Sequence, residues 1–381
     1  MNRPVRAQIR RALPADVFAP RPLRALLVPV WAAVALAASA TVIFAGLPWW
    51  VDVALSLVIA QAFGGMGFAA HEILHGSTVR NRRLQDVLGW VGFLPFMVSP
   101  TLWREWHNRR HHSHANRGHA DPDHFGHVSR YRKGGVMHGA YKLLPGSGSL
   151  ISAAFHFYWF TFHNFFNLLV LSKLYRRFNR RPAFIEAAVA VLFWVGAITA
   201  GTWVAGWEVV LISVVPMMLG NALVMGYIST NHMMRPELDH DEPVDNSMSL
   251  EVPWIVDLMH GWFSHHVEHH LFPSMSPAQA PRIKAWLLQN TPERYVSPPW
   301  YKALWWLYRT PRPHDGANVL ADPFDDSRRV DLDRLTAELR DSRFERLAPG
   351  QAETPDPEPG PGMDDAPEST EEVAARREQA A

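Results

Sequence analysis

The sequence predicts an all-α integral membrane protein. Three observations predict it: four charge-poor apolar runs pair as two hairpins, three histidine clusters stand between and after them, and lysine and arginine collect on one side of the resulting bundle. At 48% hydrophobic with 16 Trp and 20 Phe, the 381-residue chain is apolar and aromatic-rich, and it contains no cysteine. Disulfides, iron-sulfur clusters and thiolate zinc sites are thereby excluded, so any metal must be held by imidazole, carboxylate or amide oxygen. The net charge of +1 conceals a basic start, Arg3 to Arg24, and an acidic end, Asp356 to Glu372. Because the basic residues flank apolar runs and form no single charged face, no nucleic-acid partner is expected.

Residues 1–24 read as a basic cytosolic N-terminus. The first run, Ala25 to Leu47, has no charge and exceeds the roughly 20 residues that one crossing needs. Pro48, Trp49 and Trp50 make a turn with interfacial aromatics, and Val51 to Ala70 returns across, leading directly into His71. Val87 to Pro100 is broken by Pro95 and too short to cross, so it is expected to be re-entrant or to lie at the interface. Leu150 to Leu171 is rich in Phe but interrupted by His156, His163, Asn164 and Asn167. A crossing there would put the third histidine cluster opposite the first two, so it too is expected as an interfacial helix. Ala187 to Trp203 and Val209 to Ile228, joined around Gly206, form the second hairpin.

Neither hairpin turn carries Lys or Arg, whereas Arg80 to Arg83, Arg104 to Arg110, Arg130 to Lys133 and Arg176 to Arg181 share the other side. The positive-inside rule then places both termini and every histidine cluster in a cytosolic cap. Met275 to Asn290 reads as an amphipathic helix, and Trp300, Tyr301, Trp305, Trp306 and Tyr308 as a stretch resting on headgroups. Residues 25–309 thus form the membrane domain, 310–349 a polar cytosolic extension and 350–381 an acidic, disordered tail.

The clusters are His71 and His75; His107, His111 and His112; and His266, His269 and His270. On a helix, residues three or four apart share a face, so each cluster can aim two or three imidazoles at one point. In the second cluster, His107 and His111 are expected on one face with His112 beside them. His232, just beyond the fourth run, adds a ninth imidazole. Nine are too many for one ion and suit two. All-imidazole ligation without thiolate fits a redox-active first-row metal, with iron the choice for oxygen chemistry. Rings need partners on their second nitrogen, and Glu72, Asn231, Glu268, His265 and Asp239 are the expected ones, with Asp121, Asp123 and Asp245 also near in sequence. Residues 71–75 also match HExxH, the pattern of zinc metalloproteases, but that reading leaves two clusters unexplained.

The three clusters resemble the histidine boxes of the membrane fatty acid desaturases and their hydroxylase relatives: HxxxH at His71 to His75, HxxxHH at His107 to His112 and HxxHH at His266 to His270. Trp103-Arg104, the stretch His111 to Asn116, and Leu271-Phe272-Pro273 after the third box are also similar, and the likeness covers Ala25 to Trp286. It implies a non-haem centre of two iron ions and dioxygen-dependent attack on a fatty acyl chain in an apolar tunnel. The acyl group would come as acyl-lipid, acyl-CoA or acyl-ACP. Electrons would come from a small carrier of the ferredoxin or cytochrome b5 type, for which Arg104, Arg109 and Arg110 offer positive charge. Many desaturases have two residues, not three, after the first histidine of the second box. An acyl or alkane hydroxylase, or a carotenoid ketolase or hydroxylase, is therefore the alternative outcome.

Overall fold

The structure, a computed structural model, describes residues 4–240 and 242–342. The acidic stretch 350–381, expected to be disordered, lies outside the described residues. A short amphipathic helix, α1 (Val5–Ala12), buries Val5 and Ile9 and is followed by α2 (Leu27–Phe44) and α3 (Trp49–Leu74). Next come α4 (Arg82–Phe93), a π-helix (Arg104–His111), α5 (Val136–Lys142) and the Phe-rich α6 (Phe155–Leu169). Two long helices, α7 (Arg180–Ala205) and α8 (Val214–His232), precede α9 (His266–Leu271), α10 (Ala280–Asn290) and α11 (Trp300–Arg309). A small antiparallel pair, β1 (Val319–Ala321) and β2 (Arg329–Asp331), matches Leu320 to Val330, and α12 (Leu332–Asp341) follows, capped by the Asp331 carboxylate.

Among the described residues, three helical stretches are long and apolar enough to cross a membrane: Ala15–Phe44, Trp49–Leu74 and Arg180–His232. The last is 53 residues and is broken between α7 and α8, where Gly206 adopts φ +58°. Both of its outer ends lie beside the histidines. Near its start, Glu186 accepts from Ser99 Oγ at 2.6 Å and Thr101 Oγ1 at 2.6 Å, just before the second box, and its last residue is His232.

The helices approach closely because glycines leave room. A Cβ at Gly65 would stand 2.5 Å from the Trp31 indole nitrogen of α2, and one at Gly64 would stand 2.5 Å from Leu223 of α8. Small residues of this kind are how apolar helices gain packing where lipid gives no hydrophobic drive. Through them α3 becomes the axis of the bundle, buried from Ala62 to Leu74, and its last turn delivers His71 to the end where the cap sits.

Both ends of the described chain pack onto the rest. The basic N-terminus is part of the packed structure: Arg6 donates to the carbonyls of Leu271 at 2.5 Å and His270 at 3.3 Å. It thereby caps the C-terminus of α9, where a cation also meets the negative end of the helix dipole. Residues 310–342 are likewise bonded to the cap, with Arg235 donating to Thr336 Oγ1 at 2.9 Å and Arg312 to the Met233 carbonyl at 2.8 Å.

Arg24 closes the bundle against the third box. It forms a bidentate pair with buried Glu72 at 2.7 and 2.8 Å, donates to the Gly261 carbonyl at 3.2 Å and lies 5.2 Å from the Trp262 ring centre. Arg24→Ala leaves a buried carboxylate with only Ser276 at 3.2 Å as a partner. We expect it to destabilise the solubilised protein by about 3–5 kcal/mol, read as a lowered thermal midpoint, because the lost partner exposes the full desolvation cost of the charge.

Candidate metal centre

The nine histidines converge from four directions: the end of α3, the π-helix and the residue after it, the end of α8, and α9. Ring nitrogens of His71, His75, His107 and His269 lie within 4.8 Å of one another, as do those of His111, His232, His266 and His270. His112 joins the first group, its Nε2 being 3.2 Å from that of His107 and 3.1 Å from that of His269. Its ring also stacks on His270 at 4.1 Å, so the two groups adjoin.

The second box departs from the α-helical expectation. Its backbone is a π-helix in which the His112 N–H bonds to the His107 carbonyl; the His112 ring meets His107 edge to face at 4.7 Å, while the His111 ring lies parallel to His107 at 5.1 Å. His112 therefore pairs with His107, while His111 turns into the other group. The physical reason lies in the turn angle. In an α-helix, steps of three and four residues rotate the side chain to about 300° and 40°. At about 4.4 residues per π turn, steps of four and five give about 327° and 49°. The wider turn absorbs the extra residue of HxxxHH and restores nearly the directions of HxxHH.

The donor set fits metal ions. Imidazole nitrogens approach at 3.1 Å for His71–His107, 3.1 Å for His232–His270 and 2.6 Å for His232–His266. Donors about 2.0–2.1 Å from one ion stand about 3.0–3.4 Å apart, so most of these edges are those of a coordination polyhedron. The buried Nε2 of His75 has no hydrogen-bond partner. Burial first, and neighbouring imidazoles second, hold the pKa values of His107, His112, His266 and His270 well below the ordinary range, and His269 falls to about 3. Neutral rings keep the lone pair that a metal needs.

His111 is the exception. Burial opposes its protonation, but the carboxylates of Asp121 and Asp123, 3.0 and 3.4 Å from Nδ1, outweigh it and raise the pKa to about 9. They hold Nδ1–H and leave Nε2 directed at the group, the carboxylate–histidine arrangement of metal sites. Asp121 is itself fixed by the Asn116 backbone N–H at 2.9 Å, and the Asn116 amide donates to the His232 carbonyl at 3.0 Å, linking the second box to the end of α8. His232 Nδ1 is paired with the Asn246 carbonyl at 3.3 Å. A backbone partner of that kind has no signature in sequence.

The expected ring-orienting residues are mostly elsewhere. Glu72 is taken by Arg24 and Ser276, so its carboxylate serves packing, and none of its hydrogen bonds reaches an imidazole. Fully buried Glu268 accepts from Ser249 Oγ at 2.5 Å and Tyr295 OH at 2.6 Å, tying α9 to the cap. His265 stands 3.7 Å from Glu268 and 3.8 Å from Asp257, outside both groups. Asn231 is buried beside His232, with neither amide atom hydrogen-bonded. Asp239 is corrected outright: its side chain is 96% exposed and pairs with His240, because the chain has left the cap core by that point.

A narrow inner cavity borders both groups. Its apolar walls include Phe68, Phe93, Trp103, Phe160, Val224 and Met225, and His71, His107, His111, His232 and His266 face it. A third cluster, His124, Glu237 and His314, lies to one side. Gly126 N–H donates to His124 Nδ1 at 2.9 Å, His124 Nε2 meets His314 Nδ1 at 3.1 Å, and His314 Nε2 meets the Arg235 carbonyl at 3.2 Å. That chain of hydrogen bonds satisfies both rings without an ion.

A pH dependence follows for protein stripped by chelator. Rings such as His269 take up protons below about pH 6.5 when unfolded but not when folded, so their contribution is complete above 6.5 and is lost as pH falls toward about 3. His111 acts oppositely, contributing below 6.5 and losing that contribution as pH rises through about 9. Since the depressed rings outnumber it, the thermal midpoint of stripped protein is expected to be lower at pH 5 than at pH 7.5. An equal or higher midpoint at pH 5 would contradict this.

The sequence model of the fatty acid desaturase family matches residues 47–303, which include every one of the nine histidines. No curated protein matches the chain.

Proposed function

The chain belongs to the fatty acid desaturase family, and from that premise we propose that it is a membrane-bound, dioxygen-dependent desaturase that introduces a double bond into a fatty acyl chain. The observation that carries the reading is the meeting of nine imidazoles, in two adjoining groups, with one apolar cavity. Two iron ions would be held by His71, His75, His107, His112 and His269 and by His111, His232, His266 and His270. When bound they supply the reduction of dioxygen and the oxidising power to take hydrogen from an unactivated methylene. The residues of the chain do the rest. Phe68, Phe93 and Phe160 hold the acyl chain and exclude water, while Asp121 and Asp123 keep the His111 proton on Nδ1.

Electrons must come from a partner, since the chain has no cysteine for an iron-sulfur centre. Of the three arginines expected to meet a carrier, Arg104 is buried against Asp86 and Gln85, and Arg110 stacks on Tyr175 at 4.0 Å. Arg109, 78% exposed, is the one left for that role. We further propose that α7 and α8 each cross the bilayer, making four spans with α2 and α3, and that the histidines face the cytoplasm.

The π-helical second box supports desaturation over hydroxylation only in that its longer spacing no longer argues the other way. The Arg24–Glu72 pair weighs against the metalloprotease reading, whose glutamate must be free to activate water. The test is expression in a host with a simple fatty acid profile, followed by mass spectrometry of its lipids. A new double bond supports the reading, a new hydroxyl establishes the alternative, and an unchanged profile with metal-loaded protein and a reducing partner present overturns both.

A further inference from the structure

A second, wider space lies outside the inner cavity, a groove that opens to the surroundings between the 118–144 segment and α6. Its walls are apolar, among them Val136, Met137, Leu143, Phe162, Phe166 and Leu174. The groove and the inner cavity share three residues, Asp123, Trp159 and His163. Trp159 stacks on His163 with ring centres 5.8 Å apart, and His163 Nε2 lies 2.9 Å from Asp123. One layer of side chains therefore separates the groove from the space beside the histidines.

Two features identify the occupant. At the rim, Arg130 and Lys133 are exposed and have no carboxylate partner among the described residues, whereas the neighbouring Arg132 is tied to Asp326 at 2.9 Å and to the Pro323 carbonyl at 3.0 Å. Free cations at the mouth of an apolar groove complement an anionic head with an apolar tail. Along the flanks, Val136 is 88% exposed, Leu174 77% and Phe162 47%, an apolar surface suited to lipid and not to water.

We propose that this groove receives one acyl chain of an anionic glycerophospholipid, its phosphodiester at Arg130 and Lys133 and its chain running past Trp159 toward the inner cavity. The inference deepens the functional reading and rests on it for the chemistry at the far end, but lipid binding does not depend on that chemistry. Two free cations match one phosphodiester. Coenzyme A, with several phosphates and an adenine, calls for a larger basic surface than this rim presents.

Gly139 provides the test, because it lines the groove on α5, has ordinary helical backbone, and a Cβ there meets nothing within 4 Å. Gly139→Trp fills the groove without crowding the fold, and leaving glycine favours the helix. The probe is phosphatidylglycerol with a diazirine midway along one acyl chain, photolysed with the purified, metal-loaded protein in phosphatidylcholine vesicles and mapped by mass spectrometry. Adducts are expected on Met137, Phe162 and Phe166. They should fall at least tenfold in Gly139→Trp and about fivefold in each of Arg130→Ala and Lys133→Ala, while adducts on the outer face of α7 stay constant. The two alanine variants decide the matter should the tryptophan variant unfold. Adducts confined to the outer helix faces, labelling indifferent to all three substitutions, or displacement by equimolar stearoyl-CoA would overturn the proposal. Groove labelling without any oxidation product in the lipid assay would instead leave the groove standing and sink the desaturase reading.

Discussion

His269→Ala is expected to abolish acyl oxidation while leaving the protein inserted and folded. His269 sits in the first imidazole group, its Nε2 3.1 Å from that of His112 and its ring centre 4.5 Å from that of His75. Its loss opens one corner of a site whose other members approach from α3 and the π-helix. Activity should drop more than about 10³-fold, since enzymatic accelerations of about 10⁶ or more rest here on the bound metal. Metal analysis should show about one ion lost per chain, with the second group still filled. His111→Ala should be equally inactive but lose its ion from the other group. Asp239→Asn, on the exposed surface, should behave as wild type. Full activity in either histidine variant would contradict the ligand assignment.

Asp121→Asn is the second large effect. The Asp121 carboxylate lies 3.0 Å from His111 Nδ1 and accepts from the Asn116 N–H at 2.9 Å, so the amide fits the same space but no longer demands the proton on Nδ1. Loss of such a partner costs about 10–100-fold in metal affinity or activity. Asp123→Asn should cost less through His111, from which it stands 3.4 Å away. The discriminating readout is the pH dependence of metal binding. The raised pKa of His111 falls when the carboxylate is removed, so protons compete less while the ring is also less well oriented. A variant with weakened binding and an unchanged pH profile would show that Asp121 acts through packing alone.

Much of this was legible from residues in order. Apolar runs and the placement of Lys and Arg are local properties, and α2, α3, α7 and α8 appear where the four runs were expected, with shifted ends. Helix α7 begins at Arg180, seven residues before Ala187, because the Asn179 side chain caps it and Glu186 finds Ser99 and Thr101 as partners. A charge that hydropathy reads as a boundary is thereby accommodated inside the helix. The nine imidazoles were also legible, since their residue type and spacing are written in the chain.

Which imidazole belongs to which group was not. Spacing rules assume an α-helix, and the second box is a π-helix. Asp121 and Asp123, both named from the sequence, do reach His111, but the two glutamates beside the boxes orient no imidazole of either group. Glu72 and Glu268 adjoin ligands in sequence, yet a neighbour on a helix points about 100° away, and Arg24, Ser276, Ser249 and Tyr295 claim both carboxylates. Residue type and hydrophobic pattern thus determined by themselves that the chain enters a membrane and carries histidine clusters compatible with metal binding. Tertiary structure alone decided how the nine rings divide, which carboxylate holds His111, and that a groove ends one side chain from the inner cavity, because those depend on directions that separate segments acquire only on packing together.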